Sequence, residues 1–103
     1  MSYDIYFGPV LDEPERNYTS NVSPMWTAAI GENLGDLIDR LPRAGDLVPH
    51  VRRGVAAMRA DPERYRAMNP ENGWGDYEGA LAYLEWVFRT AETWPDLTVE
   101  ASR

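Results

Sequence analysis

Three carboxylates, Glu71, Asp76 and Glu78, fall in one stretch with two carboxamides and an indole: Asn69-Pro70-Glu71-Asn72-Gly73-Trp74-Gly75-Asp76-Tyr77-Glu78-Gly79. A pair of carboxylates can divide acid and base roles, or hold a divalent cation through hard oxygen ligands. The spacing argues for the plainer reading of solvated charge. Asp76 and Glu78 are two apart, which on a helix points them in different directions, and the stretch fits no EF-hand, P-loop or dinucleotide fingerprint. The neutral groups are denser. Asn69 and Asn72 here, with Asn17, Thr19 and Asn21 in Asn17-Tyr18-Thr19-Ser20-Asn21-Val22-Ser23-Pro24-Met25-Trp26, offer hydrogen bonds that orient a ligand without a large desolvation cost.

Gly73 and Gly75 bracket Trp74, so the backbone can take turns closed to other residues while holding the ring at a defined place. Each polar cluster precedes a helix, where free N–H groups and the helix dipole favour an anion. An aromatic platform there suits a planar or phosphorylated small ligand. The residues expected to bind a ligand or partner are Asn17, Thr19, Asn21, Asn69, Asn72, Trp74, Asp76 and Glu78. Each also has an architectural reading: Asn69 and Asn72 as turn formers, Asp76 as the cap of the last helix, Asn17, Thr19 and Asn21 as stitches between strand end and helix, and Trp74 as a cover over the core. The density of such residues exceeds what two loops need.

Composition removes several classes of chemistry. There is no Cys, hence no disulfide, thiol nucleophile or thiolate metal site, and the single His50 cannot build a His-rich metal centre. His50 follows Pro49 inside a helical pattern and is expected at the surface or its boundary. Ser20 and Ser23 lack the surroundings of a nucleophile. No cofactor fingerprint is present, and no cofactor is expected. All ten basic residues are Arg, and the net charge is -7, which repels nucleic-acid backbones and anionic membranes. Arg52, Arg53, Arg59, Arg64 and Arg66 cluster, but Asp61 and Glu63 interrupt them, as on a solvated helical face. Neither a nucleic-acid nor a membrane partner is expected. No basic leader with an apolar run opens the chain and no stretch approaches the ~20 apolar residues of a span, so a cytoplasmic location is expected.

The 103 residues, 44% hydrophobic and 12% aromatic, suffice for one domain with a single core. Tyr3, Ile5 and Phe7 alternate with polar or surface positions up to Gly8-Pro9, and Leu97, Val99 and Ala101 alternate near the other end; both patterns predict half-buried strands. Pairing the two satisfies both backbones, and Glu15–Thr19 is a possible third strand after a turn over residues 10–14. Ser23 as N-cap with Pro24 behind it starts the first helix, which breaks near Gly31. Leu34, Leu37, Ile38 and Leu41 then repeat at helical spacing until Pro42. Asp46 is expected to cap a helix with Leu47, Val51, Val55 and Met58 inward, and Asp61-Pro62 starts a short piece over residues 62–68. Tyr77, Ala80, Leu81, Leu84, Val87, Phe88 and Ala91 form one stripe of the last helix, stopped by Pro95. The fold class is α+β: a small antiparallel sheet of two to three short strands, the N- and C-terminal strands paired, with three to four helices on one face.

These same motifs, together with Tyr3-Asp4-Ile5-Tyr6 and Pro62-Glu63-Arg64-Tyr65, give the chain a resemblance over nearly its whole length to a family of small proteins encoded by bacteriophages and bacteria. The all-Arg composition resembles an actinobacterial or actinobacteriophage member. The resemblance labels a family and implies no catalytic residues. The leading functional expectation is a small acidic binding protein, encoded by a phage and acting in the host cytoplasm. It would engage a host protein or sequester a small polar or anionic ligand through the two polar-aromatic segments. The host-protein form requires an exposed aromatic patch, with Trp74, Tyr77 and Trp94 as candidates; the small-ligand form requires Trp74 and the Asn side chains to converge in one pocket. The alternatives are a hydrolase or transferase on a nucleotide-like or polar substrate, using Glu71, Asp76 or Glu78, and a self-assembling minor virion component.

Overall fold

The alternating N-terminal segment forms the centre of the sheet. In a computed structural model, which describes residues 2–8 and 15–103, β1 (Ser2–Gly8) lies between β2 (Glu15–Thr19) and β3 (Thr98–Ser102), antiparallel to both. The expected turn over residues 10–14 lies outside the described residues. Tyr3 faces Tyr18 across one ladder and Phe7 faces Val99 across the other. Because side chains alternate along a strand, Tyr3, Ile5, Phe7 and Val99 turn to the helices and are buried, while Tyr6 and Glu100 occupy the opposite face.

Among the described residues five helices pack against the inner face or against one another: α1 (Ser23–Ile30), α2 (Leu34–Arg40), α3 (Ala44–Ala60), α4 (Pro62–Arg66) and α5 (Tyr77–Thr93). The expected inward residues of α3, Leu47, Val51, Val55 and Met58, are all buried, as are Tyr77, Ala80, Leu84, Val87 and Ala91 of α5. Tyr83 joins the buried set from a neighbouring strip of α5. Trp26 is fully buried among Tyr3, in an edge contact at 5.2 Å, and Tyr83, stacked at 5.4 Å; its indole N–H donates to the Ala80 carbonyl at 3.0 Å. That bond satisfies the polar end of a ring otherwise packed on apolar atoms. Gly31, at φ 98°, separates α1 from α2, and Asn33 caps α2 by accepting from the Asp36 N–H at 3.0 Å.

Two helix starts differ from the sequence reading. Ser23 is not a cap: a 3-10 turn, Ser20–Val22, runs directly into α1, and Thr19 caps that turn by accepting from the Asn21 N–H at 3.3 Å. The Ser23 hydroxyl instead turns inward, accepting from the Asn33 carboxamide at 3.4 Å and lying the same distance from the Tyr3 hydroxyl. Asp46 does not cap α3, which begins two residues earlier. There the Ala44 and Gly45 N–H groups donate to Leu97 and Pro95 carbonyls at 2.9 and 2.8 Å, so the segment leading into β3 satisfies donors that a side chain would otherwise serve. Asp61 caps α4 as its sequence implies, at 3.4 Å to the Arg64 N–H. No helix among the described residues is long and apolar enough to cross a membrane.

Candidate functional site

The end of β2 and the 69–79 segment meet because Tyr18 bridges them. Its ring stacks on Tyr83 of α5 at 6.0 Å, and its hydroxyl accepts from the Asp76 N–H at 3.2 Å. The glycines around it make room. A Cβ on Gly79 would overlap the Tyr18 hydroxyl, and one on Gly75 would come within 2.6 Å of Thr19 Cγ2 and 2.8 Å of Val22 Cγ1.

Side-chain acceptors then shape the 69–79 segment. Asn72 Oδ1 accepts from the Trp74 N–H at 2.9 Å, Asn69 Oδ1 from the Tyr77 N–H at 2.9 Å, and Asp76 Oδ1 from the Gly79 N–H at 2.8 Å. Gly73 and Gly75 take φ values of 77° and 92°, a left-handed region that costs a residue with a Cβ roughly 1 kcal/mol or more. Trp74 is thereby held outward, 66% exposed, and does not cover the core.

A groove of about 580 Å³ opens where the segments meet, lined by Ser2, Asn17, Tyr18, Thr19, Asn21, Asn72 and Trp74. Of the eight residues singled out from sequence, Asn17, Thr19, Asn21, Asn72 and Trp74 line it. A relay of hydrogen bonds runs along its wall: the Asn72 carboxamide donates to Asn21 Oδ1 at 3.5 Å, the long limit of such a bond, and Asn21 Nδ2 donates to Thr19 Oγ1 at 2.8 Å. The Asn17 carboxamide makes no hydrogen bond to the described residues. Ser2 and Tyr18 were missed. Ser2 enters because β1 pairs it with Thr19, a register that no local pattern reveals.

The other three do not line the groove. Asn69 and Asp76 are engaged as turn acceptor and helix cap, and Glu78 binds Arg66 Nε at 3.1 Å. Arg66 also binds Glu63 at 2.7 Å; these two bonds, Glu63 first, hold its guanidinium pKa above its ordinary value. Glu71 is exposed and likewise away from the lining, so none of the three carboxylates reaches the cavity. No group of three or more His, Asp or Glu side chains among the described residues could hold a metal ion.

The expected aromatic patch does not form. Tyr77 is 4% exposed and its hydroxyl donates to the Met58 carbonyl at 2.7 Å, while Trp94 is exposed but sits just past the far end of α5 from Trp74. A helix of 17 residues is about 25 Å long at its 1.5 Å rise, too far for one hot spot. The N-terminus of α5 is also poorly suited to an anion, since the Tyr77 and Gly79 N–H groups are already bonded within the chain.

A second cleft, of about 290 Å³, lies between β2 and α5, lined by Arg16, Ala82, Glu85, Trp86 and Arg89. Arg16 stands 5.4 Å over the Trp86 ring, and Glu85 is paired with both Arg59 and Arg89. Comparison with protein-family models, curated proteins and solved structures finds no match to this chain.

Proposed function

We propose that this is a small acidic binding protein, encoded by a phage, that sequesters a small polar ligand in the groove between β2 and Trp74. The observation that carries this reading is convergence: an exposed indole and three Asn carboxamides, from segments more than 50 positions apart in the chain, line one cavity. Volumes of roughly 300–1,000 Å³ with a few placed polar groups are typical of ligand sites. The phage origin rests on the sequence resemblance, and action in a host cytoplasm is part of the same proposal.

Two observations favour a small ligand over the other readings. Trp74 and Trp94 lie at opposite ends of α5 and Tyr77 is buried, which weakens a docking patch for a host protein. The absence of Glu71, Asp76 and Glu78 from the lining leaves a hydrolase without an acid and base at the groove. The test is a thermal-shift and Trp-fluorescence screen of wild type and Trp74→Ala against a panel of sugars, amino acids, nucleosides, nucleotides and divalent metals. A compound that raises the Tm of wild type but not of the folded variant supports the reading. If no compound shifts wild type in a Trp74-dependent way, the proposal is wrong.

A further inference from the structure

Taking the groove as the binding site proposed above, we infer that its ligand is an uncharged planar heterocycle of the nucleobase or nucleoside class, stacked on Trp74 and read by the Asn carboxamides. The charge of the site comes first. Ser2, Asn17, Tyr18, Thr19, Asn21, Asn72 and Trp74 are all neutral, and the chain around them carries a net charge of -7. Arg66, near the start of α5, is committed to Glu63 and Glu78. Three backbone donors at that end are also committed: Asp76 N–H to Tyr18, Tyr77 N–H to Asn69 and Gly79 N–H to Asp76. A phosphate entering here meets no counter-charge, and the protein's field repels it.

The shape of the site selects among neutral ligands. Trp74 is anchored through its backbone by Asn72 and by turns at Gly73 and Gly75, so the ring faces solvent while its stem is fixed. A flat π-face of this kind stacks on any base. Carboxamides add direction, because a carboxamide presents a donor beside an acceptor and matches the paired donor and acceptor on the edge of a base. Asn17 has both groups unused by the described residues, and Asn21 and Asn72 each keep a second amide N–H, since one is spent in the relay. The 2.8 Å bond to Thr19 orients the Asn21 carboxamide before the ligand arrives, which lowers the ordering cost of binding.

The experiment titrates the four ribonucleosides and their 5′-monophosphates into the whole chain, read by Trp fluorescence and calorimetry, for wild type, Trp74→Ala, Asn17→Ala and the control Trp94→Phe. We expect saturable binding of at least one nucleoside, with its monophosphate weaker by about 5-fold or more because like charge is added. Trp74→Ala should weaken the nucleoside roughly 5- to 100-fold, the range of a lost stacking platform. Asn17→Ala should change the ranking among bases at unchanged Tm, and Trp94→Phe should change nothing. A monophosphate that binds as tightly as its nucleoside, or nucleoside binding indifferent to Trp74→Ala, overturns the inference. If no nucleoside binds but the thermal-shift screen finds a sugar or amino acid that binds in a Trp74-dependent manner, the ligand class is wrong and the binding function stands. If no compound of this titration or of that screen binds, both fall.

Discussion

Replacing Gly79 with alanine asks whether Tyr18 holds the two segments together, and it separates two opposing effects by sign. Gly79 is the third residue of α5, and inside a helix Gly→Ala is intrinsically favourable by about 1 kcal/mol, less near an end. Against this, the new Cβ would overlap the Tyr18 hydroxyl and lie 3.1 Å from Cε1. The ring cannot give way freely: it stacks on Tyr83, and its hydroxyl accepts from the Asp76 N–H. Displacing it forfeits a hydrogen bond of roughly 0.5–1.5 kcal/mol and a stacked pair of similar size. The net expectation is destabilisation by about 1–2 kcal/mol. With an m-value of about 1 kcal/mol per molar, the urea midpoint should fall by about 1–2 M. In the Tyr18→Ala background the overlap is gone, so Gly79→Ala should there be neutral or stabilising, and the coupling between the sites should exceed about 0.5 kcal/mol. A single Gly79→Ala variant as stable as wild type, or more so, would refute the bridging role of Tyr18.

Trp74→Ala should leave the unfolding free energy within about 0.5 kcal/mol of wild type by urea denaturation, as for an exposed side chain, whereas Trp26→Ala should cost about 3–5 kcal/mol by emptying the core. Asp76→Ala should lower stability by about 1 kcal/mol through loss of the α5 cap at 2.8 Å; Asp76→Asn should recover most of that loss, which a role in acid–base chemistry would not predict for any activity found. Asn69→Ala removes the acceptor of the part-buried Tyr77 N–H and should cost about 1–3 kcal/mol in the same denaturation. Arg66→Ala, breaking exposed pairs with Glu63 and Glu78, should move the urea midpoint only slightly and still less at high salt, checked by repeating the titration in 0 and about 1 M NaCl.

Local sequence determined most of the elements. Alternation at Tyr3, Ile5 and Phe7 fixed a strand and its buried face, and the spacing of Tyr77, Ala80, Leu84, Val87 and Ala91 fixed a helix and most of its inner stripe, because each period is the geometry of one backbone conformation. Leu81 and Phe88 of the same expected stripe are only partly buried. Gly31, Pro42 and Asp61-Pro62 marked breaks for equally local reasons. The caps at Ser23 and Asp46 were misread since their donors are served from elsewhere, by a 3-10 turn and by backbone near Pro95 and Leu97. Segment composition also marked the polar-aromatic clusters, but it could not sort Asn72 from Asn69 or Trp74 from Tyr77, whose side chains are alike in chemistry and differ in where the chain turns them. Tertiary structure decided that the clusters meet, which of their residues line the groove, and that the carboxylates stay outside it. Those outcomes depend on the pairing of β1 with β2 and on Tyr18 docking against α5, contacts between residues 9 to 65 positions apart in the chain. A local pattern carries no signal for them, because their free energy comes from surfaces that touch only once the whole core has formed.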